Sequence, residues 1–206
     1  MADRERTLVL ATRNEGKLRE FRQLVAEVPE LHDVEVVSVG SFPDLEDVVE
    51  TGVTFLENSS LKAHEVAKAT GLPAIADDSG LAVDVLGGCP GVFSARWSGT
   101  HGADQANIDL LLAQTADVPA ERLTAHFVCC VVLALPDGTQ RSRLGQLHGV
   151  ISRDQRGDNG FGYDPIFELP DGRSLAELGA EEKNAISHRG NALRALRQDL
   201  TELLGQ

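Results

Sequence analysis

Two adjacent carboxylates, Asp77 and Asp78, follow the apolar run Ala74-Ile75-Ala76 and precede Ser79 and Gly80. Carboxylates at the end of a buried strand can hold Mg2+ and activate water, because Mg2+ takes one or two carboxylates and fills its shell with water and phosphate oxygens. A plain polar turn, with Ser79 and Gly80 reversing the chain, explains the same residues. No Gly-x-Ser-x-Gly elbow surrounds Ser79, which disfavours a serine hydrolase. A second group is Thr12, Arg13, Asn14, Glu15, Gly16 and Lys17. Lys17 falls in the first turn of an expected helix, where the positive end of the helix dipole opposes a cation. A bound anion removes that conflict, since helix N-termini and nearby amides hold phosphates. The plainer alternative is a loop in which Asn14 caps the helix. It is not a Walker A loop: Ala11 and Leu18 stand where that motif needs Gly and Ser or Thr.

Two further groups lie toward the C-terminus. Aromatic residues make up only 4% of the chain, yet Phe161 and Tyr163 flank Gly162 and are followed by Asp164. An exposed ring between glycines suits stacking on a planar base; a tight turn that tucks both rings into the core is the competing account. Lys183, His188 and Arg189 cluster around the start of the last helix, again against its dipole unless something electron-rich sits there. Solvated surface charge explains them equally well.

The elements that must position these groups follow from periodicity. Leu8, Val9, Leu10 and Ala11 form a short strand, and a helix carries Leu18, Phe21 and Leu24 or Val25 on one face. Residues 35–39 read as a second strand. Thr54, with Glu57 three positions on, opens a helix through a capping box; it runs to about Thr70, where Gly71 and Pro73 end it. Residues 74–76 form a buried strand that runs into the Asp77–Gly80 turn. A helix near 104–114, two long strands near 125–135 and 140–150 joined by Pro136-Asp137-Gly138, a glycine-rich loop at 157–164 and a final helix with Leu193, Leu196, Leu200 and Leu203 or Leu204 complete the chain. The mixture of βα units with a long hairpin indicates an α/β fold with a mixed sheet.

Bulk properties narrow the function. At 206 residues one domain is expected over 1–206, without help from disulfides or metals in holding a core. The net charge of −13 argues against broad contact with nucleic acid or an anionic membrane. No apolar run approaches the roughly 18 residues of a membrane span. The charged start and the short apolar stretch after it do not read as a signal peptide, so a cytoplasmic protein is expected. Cys129 and Cys130 are adjacent in a strand and point to opposite faces, and Cys89 stands alone; buried reduced thiols are expected.

Taken in order, these stretches resemble the inosine triphosphate pyrophosphatase family, the non-standard purine nucleoside-triphosphate pyrophosphatases. The resemblance runs from about residue 7 to the end. It is densest at 12–17, at TGVTFLENSSLKA (51–63), at AIADDSGLAVDVLGGCPGVFSARW (74–97), at GFGYDPIF (160–167) and at EKNAISHRGNAL (182–193). It implies an elongated mixed β-sheet with flanking helices, two lobes around a central active-site cleft, and a homodimer. It implies that Thr12, Asn14 and Lys17, with their neighbours Arg13, Glu15 and Gly16, hold the triphosphate, and that Lys62 reaches it. Asp78 is implied as proton acceptor and Mg2+ ligand, Glu50 as a further acidic residue near the metal, and Ser79 as a substrate contact. Phe161, Gly162, Tyr163 and Asp164 are implied to enclose base and sugar, and Lys183, His188 and Arg189 to read the base edge. Arg13 stands where relatives often have glycine. The implied activity is hydrolysis of ITP, dITP and XTP to the monophosphate and pyrophosphate. The rival readings are a metal-dependent phosphohydrolase for another nucleotide and a nucleotide sensor without turnover.

Overall fold

A computed structural model describes residues 6–26 and 28–204. The side chains of residues 20 and 24, Leu24 of the first helix's expected face among them, lie outside the description. Strands β1 (Thr7–Leu10), β2 (Glu35–Ser38), β3 (Ala74–Val83), β4 (Thr124–Ala134), β5 (Gln140–Ile151) and β6 (Phe167–Glu168) form a six-stranded sheet in the order β2-β1-β3-β4-β5-β6. β1 runs parallel to β2 and β3, and β5 is antiparallel to β6, so the sheet is mixed. The helices are α1 (Glu15–Ala26), α2 (Phe55–Thr70), α3 (Asp104–Gln114), α4 (Ala180–Ile186) and α5 (His188–Leu204).

The chain divides into two compact units: Met1–Asp78 with Cys129–Gly145 and Asn191–Gln206, and Ser79–Val128 with Gln146–Gly190. In the first, side chains alternate strictly between the two faces of the sheet. Leu8, Leu10, Ile75, Cys129, Val131 and Leu133 pack with Leu18, Phe21 and Val25 of α1 and Leu193, Leu196 and Leu200 of α5. Val9, Ala74, Ala76, Cys130, Val132 and Ala134 face Ala63, Val66 and Ala67 of α2. Small residues on both sides let α2 lie close to the strands. The second unit has its own core, in which Leu81 and Val83 meet Ile108, Leu111, Phe127, Tyr163, Ile166 and Phe167.

The expected helix at Thr54 forms as read. Thr54 Oγ1 accepts from the Glu57 amide at 3.1 Å, Glu57 returns the bond to Thr54 N at 3.1 Å, and Gly71 ends the helix with φ of 67°. Two readings need correction. Residues 77–80 are not a turn: β3 continues through them to Val83, because Leu81–Val83 find burial in the second core. Cys89 is exposed, whereas Cys129 and Cys130 are buried on opposite faces.

Candidate active site

The local chemistry begins at the start of α1. Asn14 Oδ1 accepts from the amides of Gly16 (2.8 Å) and Lys17 (3.1 Å), the helix-capping role. A Cβ at residue 16 would lie 3.0 Å from that oxygen, so glycine leaves the cap its room. Thr12 Oγ1 accepts from the Asn14 amide at 3.2 Å, and Glu15 occupies the first helical turn, where an acidic residue is favoured. Arg13 turns toward residues 45–47, donating to Asp47 Oδ1 at 3.0 Å and to the Leu45 carbonyl at 2.8 Å.

Lys17 finds its anion inside the protein. Its Nζ donates to both carboxylate oxygens of buried Asp77, at 2.9 and 2.8 Å. Because β3 is extended at this point, Asp77 and Asp78 point to opposite faces. Asp77 lies on the face of Ile75 and α1, and Asp78 on the face of Ala74, Ala76 and α2. The two carboxylates therefore cannot grip one ion as a pair, which corrects the reading of them as a joint Mg2+ site.

On the α2 face, Asp78 Oδ2 accepts from Asn58 Nδ2 at 2.9 Å. Asn58 is fully buried, and its Oδ1 accepts from the Gly52 amide at 2.8 Å, which sets the orientation of its NH2 toward Asp78. One turn on, Lys62 Nζ donates to Glu50 Oε1 and to the Asp77 carbonyl, both at 2.7 Å. An ammonium has three N–H donors; among the described residues Lys17 and Lys62 use two apiece, which leaves each one for an incoming oxygen. Burial pushes the Asp78 carboxyl above the ordinary carboxylate range. The Asn58 hydrogen bond and Lys62 pull it back in part, and the charges of Glu50 and Asp77 add to the rise. Behind it, burial first and Asp78 second push the Cys130 thiol up to about 11.

In the second unit, the loop after β5 supplies one exposed ring. Phe161 is 66% exposed, while Tyr163 is buried and its hydroxyl donates to the Ser94 carbonyl at 3.0 Å. The expected aromatic pair is thus divided between surface and core, and only Phe161 presents a face. Burial, and then the charge of Asp104, raise the Tyr163 hydroxyl above its ordinary value. Asp164 is buried; its Oδ2 accepts from the Phe161 amide at 2.8 Å and from Lys183 Nζ at 2.5 Å. The same ammonium lies 5.0 Å from the Phe161 ring centroid, a cation–π distance. Gly162 N donates to Asp104 Oδ2 at 2.8 Å.

Lys183, expected near the start of the last helix, belongs to a separate helix before it. It sits in the last turn of α4, where the dipole favours a cation, and the chain breaks at Ser187 before α5. His188 and Arg189 open α5, half-buried, and the His188 ring stacks on Phe127 at 4.9 Å. Ser79, half-buried in β3, follows Asp78 directly.

Two side chains of these hydrogen-bonded sets, Asn58 and Asp104, went unread in the sequence, and a third, Asp77, was read without its partner. Asn58 is buried in α2 together with Ser59, Ala63, Val66 and Ala67, and a polar side chain among such residues is the signal it carried. Asp77 was seen but not matched to Lys17, and Asp104 looked like any acidic residue at a helix start.

Among the described residues, no three His, Cys, Asp or Glu side chains form a ready metal cage. Asp78 and Glu50 nevertheless offer only hard oxygen donors amid excess negative charge, a set that suits a cation sharing its shell with phosphate oxygens.

Helix-capping amides and two lysines beside a half-buried carboxylate in the first unit, and an exposed ring beside a lysine in the second, are features of a nucleotide-handling protein on a mixed α/β scaffold. The chain belongs to the Ham1 family, whose model matches residues 8–199. It is 60% identical over 200 residues to the dITP/XTP pyrophosphatase of Streptomyces coelicolor and 59% identical to that of Streptomyces avermitilis, in both cases over 96% of this chain and 98% of the relative. The structure of a HAM1 protein from Coxiella burnetii superposes with a TM-score of 0.86 at 41% identity, over 95% of this chain and 98% of that one.

Proposed function

We propose that this protein hydrolyses non-standard purine nucleoside triphosphates (ITP, dITP and XTP) to the monophosphate and pyrophosphate, clearing the nucleotide pool. The observation that carries the reading is the linked set Lys17–Asp77–Lys62–Glu50 beside Asp78 and Asn58. The names of relatives up to 60% identical give it its substrate class.

The residues divide the work by chemistry. Amides around Thr12, Arg13, Asn14, Glu15 and Gly16 and the remaining N–H of Lys17 and Lys62 hold phosphate oxygens. Asp78, oriented by Asn58, takes the proton of the water that attacks the α-phosphorus. Its raised carboxyl makes it a better base than an ordinary surface aspartate. Asp78 and Glu50 are the ligands proposed for Mg2+, which when bound supplies positive charge to the phosphate oxygens. Phe161 stacks on the base, with Gly162 and Asp164 shaping the loop. The donors of Lys183, His188 and Arg189 read the 6-oxo edge that hypoxanthine and xanthine share, and Ser79 is a further substrate contact. Residues 1–206 act as one catalytic domain, and the homodimer and cytoplasmic setting are proposed from the resemblance, the cytoplasm being where the nucleotide pool lies.

Phosphorus NMR of an ITP digest tests this directly. Pyrophosphate and IMP should appear together and stop appearing when the divalent metal is chelated. IDP with orthophosphate as first products would remove the proposed attack at the α-phosphorus.

A further inference from the structure

Phe161 sits in a loop that leaves most of its ring exposed. Gly160 and Gly162 on either side both take left-handed φ values, 81° and 59°, and residues 157–161 are exposed. Two carboxylates close around the two amides at the ring. Asp164 Oδ2 takes the Phe161 amide from within the loop, while Asp104 Oδ2 takes the Gly162 amide from 58 residues away. Asp104 is the first residue of α3, whose Ile108 and Leu111 are buried in the second unit's core and whose Asn107 accepts from the Ser98 amide at 2.7 Å. Beside the anchor of buried Tyr163 on the Ser94 carbonyl, it ties the backbone next to the Phe161 ring to a rigid element.

We propose that Asp104 is a positioning residue for base recognition: its hydrogen bond to the Gly162 amide fixes the plane of the Phe161 ring, and so the discrimination between purine bases. The proposal rests on the functional reading above. A charge-assisted bond to an amide is among the stronger ones, and its loss frees a glycine-flanked backbone to sample many conformations. Asp104 touches no reacting atom; it acts through Phe161.

The test compares Asp104→Ala and Asp104→Asn with the wild type. Asn keeps an oxygen that can accept from Gly162 N–H, so it should stay within about 3-fold of the wild type. Ala should raise KM for ITP by roughly 10-fold or more and shrink the ITP-to-ATP ratio of kcat/KM. Inhibition by inorganic tripolyphosphate, which has no base, should not move. Amide hydrogen exchange at residues 161–162 should quicken in the Ala variant and not in the Asn variant. Equal losses for ITP and tripolyphosphate, an Asn variant as impaired as the Ala variant, or unchanged exchange in the Ala variant overturns the proposal. A wild type inert toward ITP brings down the functional reading instead, and the exchange comparison then decides the role of Asp104.

Discussion

Asp78 carries the main tension of the site. Burial raises its carboxyl, and Glu50 and Asp77 add to the rise, against the Asn58 hydrogen bond and the charge of Lys62. A carboxyl raised in the folded state adds stability that is full below the unfolded value and is lost as pH rises through the folded value. At neutral pH the ionised form therefore works against folding. Asp78→Asn imitates the protonated form and can still accept from Asn58. Turnover should fall by roughly 10²- to 10⁴-fold, while the thermal midpoint at pH 7 equals or exceeds that of the wild type. The gap between the two midpoints should narrow as the pH is lowered toward 4. Melting curves at both pH values check this; a variant clearly less stable at pH 7 would show that the carboxylate supports the fold.

At the scale of elements, most functional groups are set by strand alternation and helix ends. β3 sends Asp77 to α1 and Asp78 to α2 because successive strand residues face opposite ways, so one strand serves two separate pairings. The loop after β5 depends on glycine for a different reason. A Cβ at Gly160 would lie 2.1 Å from Asp164 Oδ2 and 3.1 Å from Lys183 Nζ, at a φ of 81° that side chains avoid. Gly160→Ala should thus displace Asp164 and loosen Lys183, destabilising the protein by about 1–3 kcal/mol. KM for ITP should rise more than kcat falls, because the chemistry at Asp78 is untouched. Urea unfolding and steady-state kinetics measure the two effects, and a kcat loss without a KM change would count against the assignment of this loop to binding.

For the whole molecule, the net charge of −13 makes a tetra-anionic substrate a problem that local cations must solve. The proposed function assigns this to Lys17 and Lys62 at one set of residues and to Lys183 and Arg189 at another. A donor-lined base pocket accepts a 6-oxo group and meets the 6-amino group of adenine donor to donor; each buried donor left unpaired costs about 1–3 kcal/mol. ITP should therefore exceed ATP in kcat/KM by about 100-fold or more, and Arg189→Ala should shrink the gap. Comparable wild-type rates on the two nucleotides would move the assignment to a general nucleotide phosphohydrolase.

Local sequence determined much of this protein. The Thr54–Glu57 box, the Asn14 cap, the α3 boundaries and the alternation of Cys129 and Cys130 are all short-range properties, decided by hydrogen bonds and side-chain periods within a few residues. The five dense blocks likewise carried the family without any coordinates. What the tertiary structure decided were pairings across long separations: Lys17 with Asp77 over 60 residues, Asp104 with Gly162 over 58, Asn58 with Asp78 over 20. It also decided which of two neighbouring rings is buried, since Tyr163 finds the Ser94 carbonyl and a core around it while Phe161 does not. And β3 runs on through two aspartates because burial of Leu81–Val83 in a second core outweighs the turn tendency of Asp-Asp-Ser-Gly. Such outcomes depend on which distant surfaces meet, and no window of sequence contains that information.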